Sequence, residues 1–290
     1  MRNPTSRVCA YVLAFWLAIL PHHAVHGQER RFAVVIGNDS YQRNMKLSAA
    51  VNDAKLVGDA LEETGFEVTR ILDATKNQMA SGIESVTKRL GRDDLFLLYF
   101  AGHGIERRGI NFLVPIDVPI GDNVTEREFF DSTISLSSLM GKVKQAAVSI
   151  WIFDACRDDP FSVPITRSLG SSTGPDAHLE NVTDQMDAGN FLAGDSGFDE
   201  GSPVRASQTA ARITGSLVMY SSASGRCPFE TPTSPVTVFA RSLAAQIRLG
   251  QDVEAASKAI RREVAEQSKG LQIPHAYSSL IGDVEFKTRK

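Results

Sequence analysis

The chain has 290 residues, 42% of them hydrophobic and 22% charged, with a formal net charge of −3. Those proportions suit a globular protein of one or two domains that buries a core. The charge balance, with no Lys/Arg-rich run, internal repeat or heptad seam, gives no footprint for nucleic acid or an anionic membrane surface.

Arg2 and Arg7 precede an apolar run from Val8 to Leu20, followed by Pro21 and Ala24-Val25-His26-Gly27-Gln28. A basic start, a short apolar stretch and small residues at its end form the pattern of a secretory signal, so residues 1–27 read as a cleaved export signal. The run is shorter than the roughly 20 residues a membrane span needs; an uncleaved N-terminal anchor is the alternative. Cleavage after Gly27 removes two arginines and no acids, taking the net charge to −5. It leaves two cysteines, Cys156 and Cys227, and three histidines, His103, His178 and His275. An exported or periplasmic protein with two cysteines has no disulfide framework. The pair either forms one bridge or includes a working thiol.

Phe32-Ala33-Val34-Val35-Ile36 is a buried strand ending at Gly37-Asn38. Leu47, Val51, Ala54 and Leu61 recur at helical spacing, predicting a helix over 47–64 that Gly65 stops. Residues 66–72 form a second strand and 76–90 a second helix. Leu95-Phe96-Leu97-Leu98-Tyr99-Phe100 is an unbroken apolar run, as expected of a central strand covered on both faces. A hairpin around Arg108-Gly109 occupies 106–116, and a helix 135–145. Val148-Ser149-Ile150-Trp151-Ile152-Phe153 supplies a second central strand. Residues 162–212 are rich in Ser, Thr, Gly, Asp and Asn without an apolar period, and read as a mobile linker. A strand at 216–220 and helices at 234–249 and 252–267 follow, with a last edge strand at 280–281 and 284–286. Strands alternating with helices predict an α/β layer sandwich with a mostly parallel sheet.

Two segments carry chemistry, and they share one form. His103 follows the apolar run ending at Phe100, in Ala101-Gly102-His103-Gly104. Cys156 follows the run ending at Phe153, in Asp154-Ala155-Cys156-Arg157. Ligands of an open parallel sheet sit beyond the carboxyl ends of its strands, so if the two strands are neighbours an imidazole and a thiol meet at that rim. The thiolate is the nucleophile, and an adjacent imidazole can take its proton and later protonate the leaving amine. The backbone N–H groups of Gly104 and Cys156 are candidate oxyanion donors. The glycines beside His103 let the backbone approach a substrate closely. Taken singly, a cysteine after a strand is as compatible with a small core residue, and a histidine in a glycine-rich turn with a structural one.

The 53-residue separation of His103 and Cys156 fits the caspase pattern, in which the histidine lies about 50 residues upstream. Tyr99 to Gly104 and Asp154 to Asp158 resemble the His and Cys boxes of bacterial caspase-like proteins, relatives of metacaspases. Val34 to Asn38 and Val51-Asn52-Asp53-Ala54 resemble that family's first strand and first helix. The resemblance is specific over 31–160 and weaker over 215–286. It implies a caspase-like three-layer sandwich whose mostly parallel sheet of about six strands is flanked by helices. It also implies a large-subunit region at 28–161, the linker at 162–214 with Arg167, Arg205 and Arg212 as candidate cut sites, and a small-subunit-like region at 215–290.

Metacaspases, like this chain, carry an Asp two residues before the cysteine and another in the first helix. Asp154 and Asp53 are accordingly expected to form an acidic pocket that attracts Arg or Lys and repels acidic side chains. The alternatives are a surface charge for Asp53 and a local turn hydrogen bond for Asp154. No cofactor is expected for the chemistry. The resemblance admits calcium activation, with Asp117, Asp122 and Asp131 as candidate ligands, although their spacing matches no known loop. Cys227 is a pocket-wall residue, a stray thiol or an oxidation partner of Cys156. The expected function is therefore a cysteine endopeptidase acting on protein or peptide substrates after Arg or Lys. A catalytically silent binding module and a related peptidase of other specificity are the alternatives.

Overall fold

The computed structural model describes residues 29–121, 123–155, 214–222 and 234–287. The expected export signal, Cys156, almost all of the expected linker at 162–214 and Cys227 lie outside those residues. The described elements run β1 (Arg31–Gly37), a 3-10 turn (Arg43–Met45), α1 (Ala50–Glu63), β2 (Glu67–Leu72), α2 (Lys76–Thr87), β3 (Leu95–Gly102), β4 (Gly104–Arg107), β5 (Ile110–Leu113), α3 (Glu126–Asp131), β6 (Ile134–Ser135), α4 (Leu136–Lys142), β7 (Val148–Ala155), β8 (Gly215–Tyr220), α5 (Val238–Leu249), α6 (Val253–Gln267) and β9 (His275–Ser278).

Six strands form one sheet in the order β2-β1-β3-β7-β8-β9. All pairs are parallel except β8 with β9. Successive side chains of a strand point to opposite faces, and the apolar runs fill both. Ala33, Val35, Leu97, Tyr99, Ile150 and Ile152 face α1, α5 and α6 on one side. Phe32, Val34, Phe96, Phe100, Trp151 and Phe153 face α2 and α4 on the other. The result is a three-layer α/β sandwich.

Local chemistry sets the helix starts. The Asp39 carboxylate accepts the N–H groups of Ala50 and Val51 at 2.9 and 3.0 Å, so α1 begins at Ala50 rather than Leu47. Thr75 and Gln78 close a capping box that starts α2. Thr237 caps α5, so that helix begins at Val238 rather than residue 234. The tight turn between β4 and β5 has positive φ at both Arg108 (51°) and Gly109 (78°), the geometry of a type I′ hairpin.

The expected edge strand at 280–286 is corrected. The edge of the sheet is β9, and the downstream residues make isolated bridges, Ile281 to Thr214 and Glu285 to Asp252. Val284 and Phe286 are buried there, so their apolar character serves packing beside α6. The hairpin expected around Arg108-Gly109 is β4-β5; that β6 joins it in a second sheet, β4-β5-β6, and the short helix α3 were not anticipated.

Candidate active site

β3 and β7 are adjacent, and their ends are in register, Ala101 opposite Asp154 and Gly102 opposite Ala155. Both strands run two residues further than their apolar runs. His103 thus follows β3 directly, and Cys156 is the next residue in sequence after β7.

A closed ring of hydrogen bonds holds the half-buried His103. Its N–H donates to the Tyr41 hydroxyl at 2.9 Å, that hydroxyl donates to the Val114 carbonyl at 2.9 Å, and the Val114 N–H donates to the His103 carbonyl at 3.0 Å. The Tyr41 ring meets the imidazole edge-on at 4.5 Å between centroids. Burial pushes the Tyr41 hydroxyl above its ordinary pKa, so it stays a neutral donor. Nε2 of His103 lies 2.7 Å from the Met45 carbonyl. A carbonyl only accepts, so Nε2 carries the proton and the ring's lone pair is on Nδ1.

Gly102 has a steric role. Its φ is +154°, and a Cβ there would stand 2.6 Å from the Tyr41 hydroxyl and 2.9 Å from the Phe100 ring. The missing side chain makes room for Tyr41. Gly104 opens β4, at the edge of a small cleft also lined by Phe100, Ile105, Phe153, Ala155 and Tyr220. The other expected oxyanion donor, Cys156, lies outside the described residues.

Asp53 and Asp154 are both buried, 1% and 4% exposed. The surface-charge reading of Asp53 is thereby excluded. Asp154 Oδ2 accepts from two residues remote in sequence, the Tyr99 hydroxyl at 3.2 Å and the Thr237 hydroxyl at 3.0 Å. Asp53 Oδ1 accepts the Thr237 N–H at 2.8 Å. One residue therefore bonds both acids. Burial first, and the neighbouring Asp154 charge second, push Asp53 up to about 8. Burial and the two carboxylates raise Tyr99 well above its usual range.

Two of the acids considered for calcium lie among the described residues. Asp117 accepts the Lys76 N–H at 2.8 Å, and the Asp131 carboxylate lies 3.5 Å from Arg127. Asp122 lies outside the described residues, among which no group of three or more His, Cys, Asp or Glu is arranged to hold a metal. His275 starts β9 opposite Tyr220; His178 lies outside.

Tyr41, the Met45 carbonyl, Tyr99 and Thr237 were not anticipated as site residues. Thr237 left one signal, a Thr just ahead of an apolar-periodic segment, the mark of a helix N-cap. Its bonds to the acids left none.

The fold places the chain in a known class. It superposes on caspase-1 from Spodoptera frugiperda over 90% of this chain and 91% of that one, with a TM-score of 0.56 at 14% identity. The architecture is a caspase-like α/β sandwich. The family model for the caspase domain matches residues 30–285, and the chain belongs to that family of cysteine-type peptidases. Over 142 residues, 48% of the chain, it is 31% identical to the Mus musculus homologue of mucosa-associated lymphoid tissue lymphoma translocation protein 1 and 30% identical to the Homo sapiens protein. Those matches span 17% of each relative's length.

Proposed function

We propose that the chain is an endopeptidase in which Cys156 is the nucleophile, His103 the general base, and Asp53 with Asp154 the site that receives an Arg or Lys side chain. The observation that carries this reading is the buried pair of acids, one of them two residues before Cys156. Two carboxylates in one buried site favour a cation and penalise an anion.

The chemistry follows from the imidazole's orientation. The lone pair on Nδ1 takes the thiol proton, and the sulfur attacks the scissile carbonyl carbon. The N–H groups of Gly104 and Cys156 receive the oxyanion. The imidazolium protonates the departing amine, leaving a thioester that water hydrolyses with the same base. Residues 1–27 direct export, so a reducing assay is required to keep the thiol working. Calcium, if it acts, tunes activity rather than chemistry.

The test uses protein lacking residues 1–27, under reducing conditions, with peptides ending in Arg, Lys or Asp before a reporter, with and without calcium. Turnover of the Arg and Lys peptides that disappears in Cys156→Ala is expected. Turnover of the Asp peptide alone would refute the acidic site, and turnover surviving Cys156→Ala would refute the mechanism. Absence of any turnover would leave a binding module.

A further inference from the structure

The two acids stand on separate elements, Asp53 in the first turns of α1 and Asp154 near the end of β7. The residue that bonds both stands on a third, at the N-terminus of α5. We propose that Thr237 is a positioning residue that sets the preference for basic side chains, an inference that rests on the reading of Asp53 and Asp154 as the acidic site.

Thr237 places a polar atom against each acid. The N–H donates to Asp53. The hydroxyl oxygen accepts the Ala240 N–H at 3.0 Å, as the cap of α5. A hydroxyl carries a single proton; Thr237 donates it to Asp154 at 3.0 Å, and its side chain is also within hydrogen-bonding reach of Asp53. A helix cap as such is satisfied equally well by Asp or Asn. A carboxylate at this position would instead meet Asp154 acceptor to acceptor. The side chain is 5% exposed, so water does not replace the lost donor cheaply. The amino end of α5 adds its partial positive charge where the two carboxyl groups converge.

Thr237 also lies downstream of the linker, 184 residues from Asp53 and 83 from Asp154 along the chain. Recognition of the basic side chain therefore depends on the small-subunit-like region being seated against α1 and β7. Thr237 acts by fixing the spacing and orientation of the carboxylates, without contact to the scissile bond.

The experiment compares Thr237→Val, Thr237→Gly and Thr237→Ser with the unsubstituted protein on an Arg peptide, an Ala peptide and across pH. Glycine is tolerated at a helix cap nearly as well as threonine, so Thr237→Gly removes the hydroxyl even if Thr237→Val does not fold. Loss of one ordinary hydrogen bond predicts an Arg-peptide KM about five- to tenfold higher in Thr237→Val and Thr237→Gly, with a smaller change in kcat. The pH at which KM improves should move upward, because Asp53 loses the Thr237 side-chain bond that favours its charged form. Thr237→Ser should restore both. Variants that lose stability while keeping the Arg-peptide KM and its pH profile would reduce Thr237 to a helix cap and overturn the inference. Unsubstituted protein that does not prefer the Arg peptide over the Ala peptide would instead overturn the acidic site itself.

Discussion

Gly102 and Ala155 are register partners on adjacent parallel strands, so β3 and β7 leave the sheet side by side, each one residue ahead of a proposed catalytic group. This pairing sets the residues that precede both proposed catalytic groups side by side on the sheet. It also explains why the backbone at Gly102 tolerates no side chain: Tyr41 fills the space that would receive one. Gly102→Ala should destabilise the protein by about 1–3 kcal/mol, from the φ and the steric conflict together. Peptide turnover should fall as His103 is displaced. Thermal unfolding and steady-state kinetics check this, and a variant matching the unsubstituted protein in both would contradict it.

Tyr41→Phe keeps the ring beside the imidazole and removes only the hydroxyl. The His103 N–H loses its acceptor and the Val114 carbonyl loses the Tyr41 donor, at a cost of about 1–3 kcal/mol. Turnover of the Arg peptide should drop about tenfold, mainly in kcat, because the base rather than the acidic site is disturbed. A loss confined to KM would place Tyr41 elsewhere in the mechanism.

The raised Asp53 gives stability a definite pH dependence. Its ordinary value is 3.8 and its folded value about 8. Between those limits the folded chain holds a proton that the unfolded chain has released, so raising the pH favours unfolding. The contribution is full below about 4 and is lost as the pH rises through about 8. Urea unfolding at pH 5, 7 and 9 should show a decline that Asp53→Asn flattens. Parallel declines in the two proteins would show that Asp53 is ionised throughout.

The same protonation makes cation binding visible as proton release. At pH 7 Asp53 carries its proton, and an entering guanidinium favours the carboxylate. Titrating Cys156→Ala with agmatine in buffers of different ionisation enthalpy should reveal release of up to about one proton per ligand at pH 7, fading above pH 9. Binding heats independent of buffer would argue against Asp53 as part of the site.

Much of this architecture was legible in the chain. Unbroken apolar runs such as 95–100 and 148–153 suit only strands covered on both faces, and the helices between them force parallel pairing. The places of His103 and Cys156 after those runs followed directly, as did the family resemblance. The edge strand was misplaced because Val284 and Phe286 look like strand residues yet are buried beside a helix, whereas β9 is half exposed and carries little apolar pattern. Helix α3, of six residues, is too short to show a period.

The sequence by itself determined the layered α/β class and two chemistry-bearing positions, because burial on one or two faces imprints a local period on the chain. Only the tertiary structure decided that β3 and β7 are neighbours, that Tyr41 and the Met45 carbonyl orient His103 from 62 and 58 residues away, and that Thr237 gathers Asp53 and Asp154 into one buried site. Such hydrogen bonds join residues remote in sequence, and a contact made by folding alone leaves no periodic trace in the segments that make it.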